Sequence, residues 1–150
     1  LPNTQSIYLY PSTCLFEGTV MSLGRGTSFP FQAYGHPNSK GSGFSFTPRS
    51  VPGAKNPPLL NRKCYGVDLR NVSYEQIWEY GFDLSYVIDA YKNLKMGDEF
   101  FTDFFEKLVG VDYIRQDIIA GKSAQEIKEK WFCDVLRFKQ QRRPYLLYEE

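Results

Sequence analysis

The distribution of glycine and proline divides this chain into two unlike parts. Most of its 12 glycines and nine prolines lie between Ser12 and Asn71. Because proline removes a backbone donor and glycine disfavours the helical state, this part is predicted to form short strands and loops rather than helices. After Asn71 the apolar residues recur with the 3.6-residue period of amphipathic helices. The chain is therefore predicted to fold as an α+β domain.

The part rich in glycine and proline follows a short N-terminal helix. Asn3 or Thr4 is predicted to cap this helix, and Pro11 to end it. Apolar stretches then predict the strands of a small irregular β-sheet, at positions 29–34, 44–47 and 64–69. Long loops are predicted at 38–43 and 52–58, and the second is a candidate rim for a binding site.

The remainder is predicted to form a C-terminal cluster of about four helices. Capping boxes begin two of them, at Ser73 with Gln76 and at Ser123 with Glu126. Gly81 divides the first helical segment, so that its main helix begins near Asp83. Two further helices are predicted at 100–108 and 112–120, with caps or stops at Asp98, Gly110 and Gly121. The last helix has the apolar face Ala124, Ile127, Trp131, Val135 and Phe138. We interpret these stripes as core-facing, which makes the helical part a scaffold.

Size and charge exclude some classes of function. A chain of 150 residues is the size of one domain. Its 18 basic and 17 acidic residues lack the one-sided basic surplus of a nucleic-acid binder. No apolar run approaches the roughly 20 residues of a membrane span. Aromatic residues make up 17%, which fits a sugar-binding surface or an aromatic-rich core, and composition leaves both open.

Cysteine and histidine usage predicts neither a metal site nor a cofactor. The chain has one histidine, His36, and three cysteines without a CxxC pair. Cys14, Cys64 and Cys133 form at most one disulfide, and their apolar neighbours predict small buried side chains. His36 precedes a proline and is interpreted as a loop residue.

One polar segment, residues 16–27, stands out as a candidate site. Glu17 and Thr19 flank Gly18, and Arg25 lies between Gly24 and Gly26. Glycine allows the backbone to adopt positive φ or to approach a ligand closely. The carboxylate and the guanidinium could therefore face one pocket. Alternatively, Glu17 and Arg25 pair with each other and staple the loop. The segment is not a phosphate loop, because it lacks the Walker spacing and lysine.

Several motifs in and beyond this segment resemble one bacterial family. The first group comprises Tyr10-Pro11-Ser12, Cys14-Leu15-Phe16-Glu17-Gly18-Thr19, Ser22-x-Gly24-Arg25-Gly26-Thr27 and Pro30-Phe31-Gln32. The second comprises Phe46-Thr47-Pro48, Cys64-x-Gly66-Val67, Leu108-Val109-Gly110, Trp131 and Arg143-Pro144-Tyr145-Leu146-Leu147-Tyr148. Together they resemble the C-terminal auxiliary domain of the exo-β-N-acetylmuramidase family, formerly a domain of unknown function.

The resemblance implies that residues 1–150 are one domain of a larger protein. Members of the family have an N-terminal Rossmann-like domain, absent from this chain, and an active cleft between the two domains. They release N-acetylmuramic acid from the non-reducing ends of peptidoglycan fragments during cell-wall turnover. The implied partners are thus a peptidoglycan-derived sugar and the N-terminal domain. The implied location is the cell envelope, periplasmic or secreted. This chain alone is expected to be inactive.

The resemblance also suggests roles for the polar segment. Glycoside hydrolysis usually needs two carboxyl groups, and Glu17 is the local candidate for one of them. N-acetylmuramic acid carries a lactyl carboxylate, which arginine can bind through two parallel hydrogen bonds. Arg25 is therefore the candidate residue for binding the lactyl carboxylate, with Thr19, Ser22 and Thr27 supplying further polar contacts.

Two other functions agree with the same sequence. The domain could be a carbohydrate-binding module without catalytic activity, which would bind a sugar and leave it intact. It could also be a protein-interaction domain, in which case Glu17 and Arg25 would form a closed ion pair without an adjoining pocket.

Overall fold

The chain folds as an N-terminal helix, a small antiparallel sheet and a run of helices, which confirms the α+β prediction. The computed structural model describes residues 1–40 and 43–148, so Gly41 and Ser42 of the predicted loop at 38–43 lie outside the described residues. In chain order the elements are α1 (Thr4–Thr13), a 3₁₀ turn (Cys14–Gly18), β1 (Ala33–His36), β2 (Phe44–Phe46), β3 (Cys64–Asp68), α2 (Tyr74–Tyr80), α3 (Ser85–Leu94), a 3₁₀ turn (Gly97–Phe100), α4 (Phe105–Val109), α5 (Tyr113–Ile119), α6 (Ala124–Arg142) and a 3₁₀ turn (Arg143–Tyr145).

The sheet has the order β1-β3-β2, with both pairs antiparallel. Gly66 of the central strand faces Gly35 on one side and Phe44 on the other. Strands β2 and β3 lie where the sequence predicts them, but β1 begins at Ala33 rather than at position 29. The reason is a tight bend before it. Phe31 has a φ of 64°, which is incompatible with an extended strand. The Phe31 amide donates to the carbonyl of Leu23 over 2.8 Å, which closes the bend.

The predicted starts of α1, α2 and α6 are confirmed. Asn3 Oδ1 accepts a hydrogen bond from the amide of Ser6 at the start of α1. Ser73 and Ser123 form complete capping boxes at the starts of α2 and α6. Each cap satisfies backbone donors that the first helical turn leaves without a partner.

Pro11 does not end α1, contrary to the sequence-based prediction. It lies inside the helix, on an exposed face, and the chain continues to Thr13 and then into the 3₁₀ turn. Proline removes only one helical hydrogen bond there. Leu9 and Phe16 are almost fully buried, and Thr13 Oγ1 donates to the carbonyl of Leu9 over 2.9 Å. Burial of the opposite face, which carries Leu9 and Thr13, outweighs the hydrogen bond lost at Pro11, so the helix continues.

The predicted helix at 100–108 is broken in the structure. Phe100 ends a 3₁₀ turn, Phe101 pairs with Thr19 in an isolated β-bridge, and α4 begins only at Phe105. The amide of Thr102 also donates to the carbonyl of Gly18 over 2.9 Å. Pairing with the loop after α1 thus replaces helical hydrogen bonds, which a one-dimensional apolar stripe does not reveal.

The core is aromatic, but many aromatic side chains also lie at the surface. Phe16, Phe100 and Phe105 are fully buried, and Phe16 stacks on Tyr34 with 4.5 Å between ring centroids. Trp78, by contrast, is 66% exposed. The aromatic composition therefore reflects both a core and a surface.

The three cysteines are all free thiols in the structure. Cys64 is buried, as the sequence predicts, whereas Cys14 is only half-buried. Cys133 is exposed, so the prediction that it is buried is wrong. It lies in the outer part of α6, where the helix has left the core.

The predicted core-facing stripe of α6 is only half correct. Ile127 is fully buried and Trp131 is half-buried, but Val135 and Phe138 are exposed. The helix runs beyond the body of the domain, so residues at the correct spacing find nothing to pack against. None of the helices in the described part of the chain is long and apolar enough to cross a membrane.

Candidate functional site

The loop that carries Arg25 has a backbone that only glycine allows. Gly24 and Gly26 have φ angles of 79° and 81°, in the left-handed region that disfavours other residues. A Cβ atom on Gly26 would lie 2.5 Å from the carbonyl oxygen of Arg49, and one on Gly24 would lie 2.8 Å from that of Phe29. The two glycines therefore fix the position from which the Arg25 side chain projects.

Arg25 and Glu17 form an ion pair at the protein surface. Arg25 Nε donates to Glu17 Oε1 over 3.0 Å, and Arg25 Nη2 donates to the same oxygen. The side chains of Arg25 and Glu17 are 39% and 24% exposed. Among the described residues, none is bonded to Arg25 Nη1 or to Glu17 Oε2. The two residues therefore staple the loop, as one alternative predicts, but remain open to solvent on one side.

Phe31 supports this ion pair, a role that sequence reasoning missed. The Arg25 guanidinium carbon lies 4.9 Å from the centroid of the Phe31 ring. That ring packs in turn against Tyr10, with 4.9 Å between centroids. A cation above an aromatic face is attracted by its quadrupole, which here holds the guanidinium in one orientation. The only available signal was the nearby Pro30-Phe31 pair, which did not indicate contact with Arg25.

Thr19 and Ser22 lie in the same loop, but both are buried. Thr19 Oγ1 donates to the carbonyl of Phe16 over 2.9 Å and accepts from the amide of Met21 over 3.1 Å. The backbone of Ser22 pairs with Gly35 of β1, and its hydroxyl has no hydrogen-bond partner among the described residues. A contact of either hydroxyl with a ligand stays a prediction.

Thr27 closes the bend around Arg25. Its hydroxyl donates to the carbonyl of Gly24 over 2.6 Å and accepts from the amide of Phe29 over 3.1 Å. Because a hydroxyl has only one proton to donate, Thr27 cannot donate to a ligand without opening this turn. The geometry gives it a role in shaping the loop, and direct ligand contact stays a prediction.

His36 lies at the end of β1, well inside the fold, rather than in a loop. Its Nδ1 accepts a hydrogen bond from the amide of Asn38 over 3.1 Å. Burial, with a smaller contribution from the Arg62 charge, lowers the pKa of His36 below its ordinary value. The imidazole is therefore neutral near pH 7 and stabilises the start of the following turn.

This burial predicts a pH dependence of stability. Since the folded-state pKa of His36 lies below its unfolded value, the unfolded chain binds the proton more readily. We expect the free energy of unfolding to be highest above about pH 6.5 and to fall as the pH is lowered from there towards pH 5. Urea unfolding at several pH values checks this. His36→Gln should flatten the profile in that window, whereas an unchanged slope would assign the loss to other groups.

The domain also has a groove away from the ion pair, between α6 and the α2–α3 segment. It has a volume of about 530 Å³, and its lining includes Tyr80, Phe82, Asp83, Tyr86 and Trp131. Neither Glu17 nor Arg25 contributes to it. The described residues contain no cluster of His, Cys, Asp or Glu side chains suited to a metal ion.

Comparison with known proteins places this geometry in a family. Residues 8–148 match the family described as "Exo-beta-N-acetylmuramidase NamZ, C-terminal". The chain is 33% identical to the peptidoglycan beta-N-acetylmuramidase NamZ of Bacillus subtilis (strain 168), over 99% of this chain and 39% of that protein. It also resembles the crystal structure of a DUF1343 family protein from Bacteroides fragilis NCTC 9343, with a TM-score of 0.97 and 64% identity, over 99% of this chain and 42% of that one. The chain thus spans about two fifths of the length of these relatives.

Proposed function

Since this chain belongs to the family of exo-β-N-acetylmuramidase NamZ C-terminal domains, we propose that it is the auxiliary domain of a peptidoglycan glycosidase. The observation that carries the proposal is the Glu17–Arg25 pair, which the glycine-flanked loop and the Phe31 ring hold at the surface. A rigid carboxylate and guanidinium, each with one edge open, suit recognition of a charged sugar.

We propose that residues 1–150 act together with a preceding Rossmann-like domain of the same polypeptide. The relatives are more than twice as long as this chain, which leaves room for such a domain. The active cleft then lies between the two domains, and the Glu17–Arg25 pair forms part of its wall. The partial exposure of both side chains agrees with a surface that a second domain completes.

Arg25 is proposed to bind the lactyl carboxylate of N-acetylmuramic acid. The bonds to Glu17 use Nε and one proton of Nη2, which leaves the Nη1 edge for the substrate. Hydrogen bonds between a guanidinium and a carboxylate are charge-assisted and stronger than neutral ones. Phe31 and the flanking glycines orient the guanidinium in advance, so little side-chain entropy is lost on binding.

Glu17 is proposed to supply one of the two carboxyl groups for hydrolysis. In this reaction the bond from the anomeric carbon to the leaving oxygen breaks and a water oxygen takes its place. One carboxyl group donates a proton to the leaving oxygen, and the other accepts one from water or forms a glycosyl intermediate. The second carboxyl group would come from the preceding domain. Thr19 and Thr27 are proposed to shape the loop and to contact the sugar through their remaining acceptor positions. Ser22, whose hydroxyl has no partner among the described residues, is proposed to contact the sugar as donor or acceptor.

The proposed reaction has a consequence for location. Release of N-acetylmuramic acid from the non-reducing ends of peptidoglycan fragments belongs to cell-wall turnover, and its substrate is found in the cell envelope. We therefore propose that the intact protein acts in the periplasm or outside the cell.

The replacement Arg25→Lys tests the role of Arg25 in the full-length protein. Lysine keeps the charge but loses the planar edge that binds a carboxylate through two bonds. We expect N-acetylmuramic acid to inhibit the variant about 10- to 100-fold less strongly than the wild type, the loss expected for charge-assisted hydrogen bonds. Inhibition by N-acetylglucosamine, which lacks the lactyl group, should change much less.

Arg115→Lys is the matched control for this experiment. Arg115 also pairs with carboxylates, Asp98 and Glu106, and its guanidinium lies 5.3 Å from the centroid of the Phe101 ring. The Arg115→Lys variant should leave the inhibition constants of N-acetylmuramic acid and N-acetylglucosamine unchanged. Equal losses for the two sugars in Arg25→Lys would remove Arg25 from carboxylate recognition. A full-length wild-type protein that releases no N-acetylmuramic acid would contradict the proposed function itself.

A further inference from the structure

The outer part of α6 and the residues after it form an arm with no buried residue. We define the C-terminal arm as residues 132–148, none of which is buried. Phe132 and Phe138 are 59% and 60% exposed, and Tyr145, Leu147 and Tyr148 are 84–90% exposed. Exposed apolar side chains grouped in this way mark an interaction surface rather than a solvated helix.

The sequence of α6 shows that the arm continues a packing face. Ile127 and Trp131 contact the body of the domain, and Val135 and Phe138 follow them at the same helical spacing. A second stripe, Phe132 and Leu136, lies beside the first. A helical extension of this length without packing would fray, because propensity alone rarely stabilises short helices in water. The arm therefore needs a surface to cover it.

An aromatic band connects the arm to the N-terminal helix. Tyr8 of α1 packs edge-to-face on Trp78, with 5.8 Å between ring centroids. Tyr8, Trp78 and Phe82 line one shallow groove, and Phe82 packs against Trp131 at 6.0 Å. This aromatic band thus runs from Tyr8 in α1 to Trp131, the residue just before the arm.

The charges around the arm indicate the chemistry of its partner. Its polar positions include Arg137, Lys139, Arg142 and Arg143, whereas Asp134 is the only acidic residue among its described members. A complementary surface has an apolar centre and an acidic rim, because unpaired like charges at an interface are unfavourable.

We propose that the aromatic band and the C-terminal arm dock onto the domain that precedes this one in the same polypeptide. The inference rests on the proposed function, which supplies that domain. The band begins at Tyr8 in α1, the first helix of this chain, and such a domain would join this one on the N-terminal side of that helix. More than half of the solved relative lies outside the matched part, and that relative keeps the fold of this chain, arm included, with a TM-score of 0.97 over 99% of it. The arm therefore has this position in a chain that also contains the additional region.

Hydrogen–deuterium exchange on the full-length protein tests the docking. Backbone amides at 132–142 should exchange at least about tenfold more slowly in the wild type than in Phe138→Asp, which places a charge in the proposed interface. Gln116→Asp is the matched control, since it adds the same charge at an exposed polar position of α5, outside both the arm and the aromatic band. It should retain the wild-type protection.

Two results would overturn the inference. The first is rapid exchange of 132–142 in the wild-type full-length protein. The second is protection that appears only with increasing protein concentration, together with a dimer mass in sedimentation, which would identify a second copy as the occupant. Release of N-acetylmuramic acid is assayed on the same samples. Activity without protection contradicts the docking alone, and protection without activity supports the docking and contradicts the proposed function.

Discussion

Replacing Glu17 with glutamine in the full-length protein is expected to lower kcat on an N-acetylmuramic acid glycoside by about 10²- to 10⁴-fold, the usual contribution of a catalytic acid or base. Glutamine keeps the size of the side chain and can still accept a hydrogen bond from Arg25. It cannot exchange a proton or act as a nucleophile. The loss should therefore appear mainly in kcat, with a smaller change in KM.

The pH profile separates this role from a purely structural one. Removal of one of two titrating carboxyl groups should abolish one limb of the bell-shaped dependence of kcat/KM. Glu79→Gln, on the exposed face of α2, is the control and should leave both kcat and the profile unchanged. Loss of the Glu17–Arg25 pair should cost about 1 kcal/mol or less of stability, because such pairs near the surface contribute little. Full turnover by Glu17→Gln would exclude Glu17 from catalysis.

Gly66→Ala is expected to abolish the folded domain. Gly66 lies in the central strand β3, and a Cβ atom there would lie 1.9 Å from the carbonyl oxygen of Tyr34. The atoms that this Cβ would meet, the Tyr34 oxygen and the Cα of Gly35, are backbone atoms of β1. The clash therefore cannot be relieved by rotating a side chain. The strand pair must separate. We expect a loss of several kcal/mol, which is comparable with the whole stability of a small domain.

Gly53→Ala provides the contrast. Gly53 has a φ of 85°, but a Cβ atom there meets no heavy atom within 4 Å. Alanine should therefore cost only the conformational strain, about 1–2 kcal/mol. Circular dichroism and thermal unfolding of the two variants distinguish the effects. A Gly66→Ala protein with a cooperative transition close to that of the wild type would show that β1 and β3 tolerate a wider separation.

Local signals in the sequence were sufficient to predict several of the helix boundaries. Ser73 and Ser123 carry their own capping partners three residues later, so each cap is encoded within one turn. Gly110, which adopts a left-handed conformation at the end of α4, is equally local. These features depend on neighbours along the chain, and a sequence displays such neighbours directly.

The errors arose where distant parts of the chain compete with local preference. Phe101 leaves the helical stripe because it pairs with Thr19, more than 80 residues earlier. Pro11 is tolerated in α1 because the opposite face of that helix is buried in the core. Phe138 has the spacing of a core residue, yet the body of the domain ends before it. In each case the deciding contact, or its lack, is a property of the tertiary structure.

The candidate site was predictable only in part. The glycines flanking Arg25 indicated a special backbone, and their positive φ angles confirm it. The sequence left open whether Glu17 and Arg25 face a pocket or each other, and in this domain they bond to each other. The sequence also could not reveal that the Thr27 hydroxyl closes its own turn, because that depends on the donor geometry of the loop.

A crystal structure of the full-length protein with bound N-acetylmuramic acid tests the central claim most directly. We expect the lactyl carboxylate to accept hydrogen bonds from the Nη1 edge of Arg25, at about 2.7–2.9 Å. Glu17 should lie beside the anomeric carbon, in a cleft closed by the preceding domain. A sugar bound elsewhere, with Arg25 and Glu17 still bonded to each other and facing bulk solvent, would contradict the account.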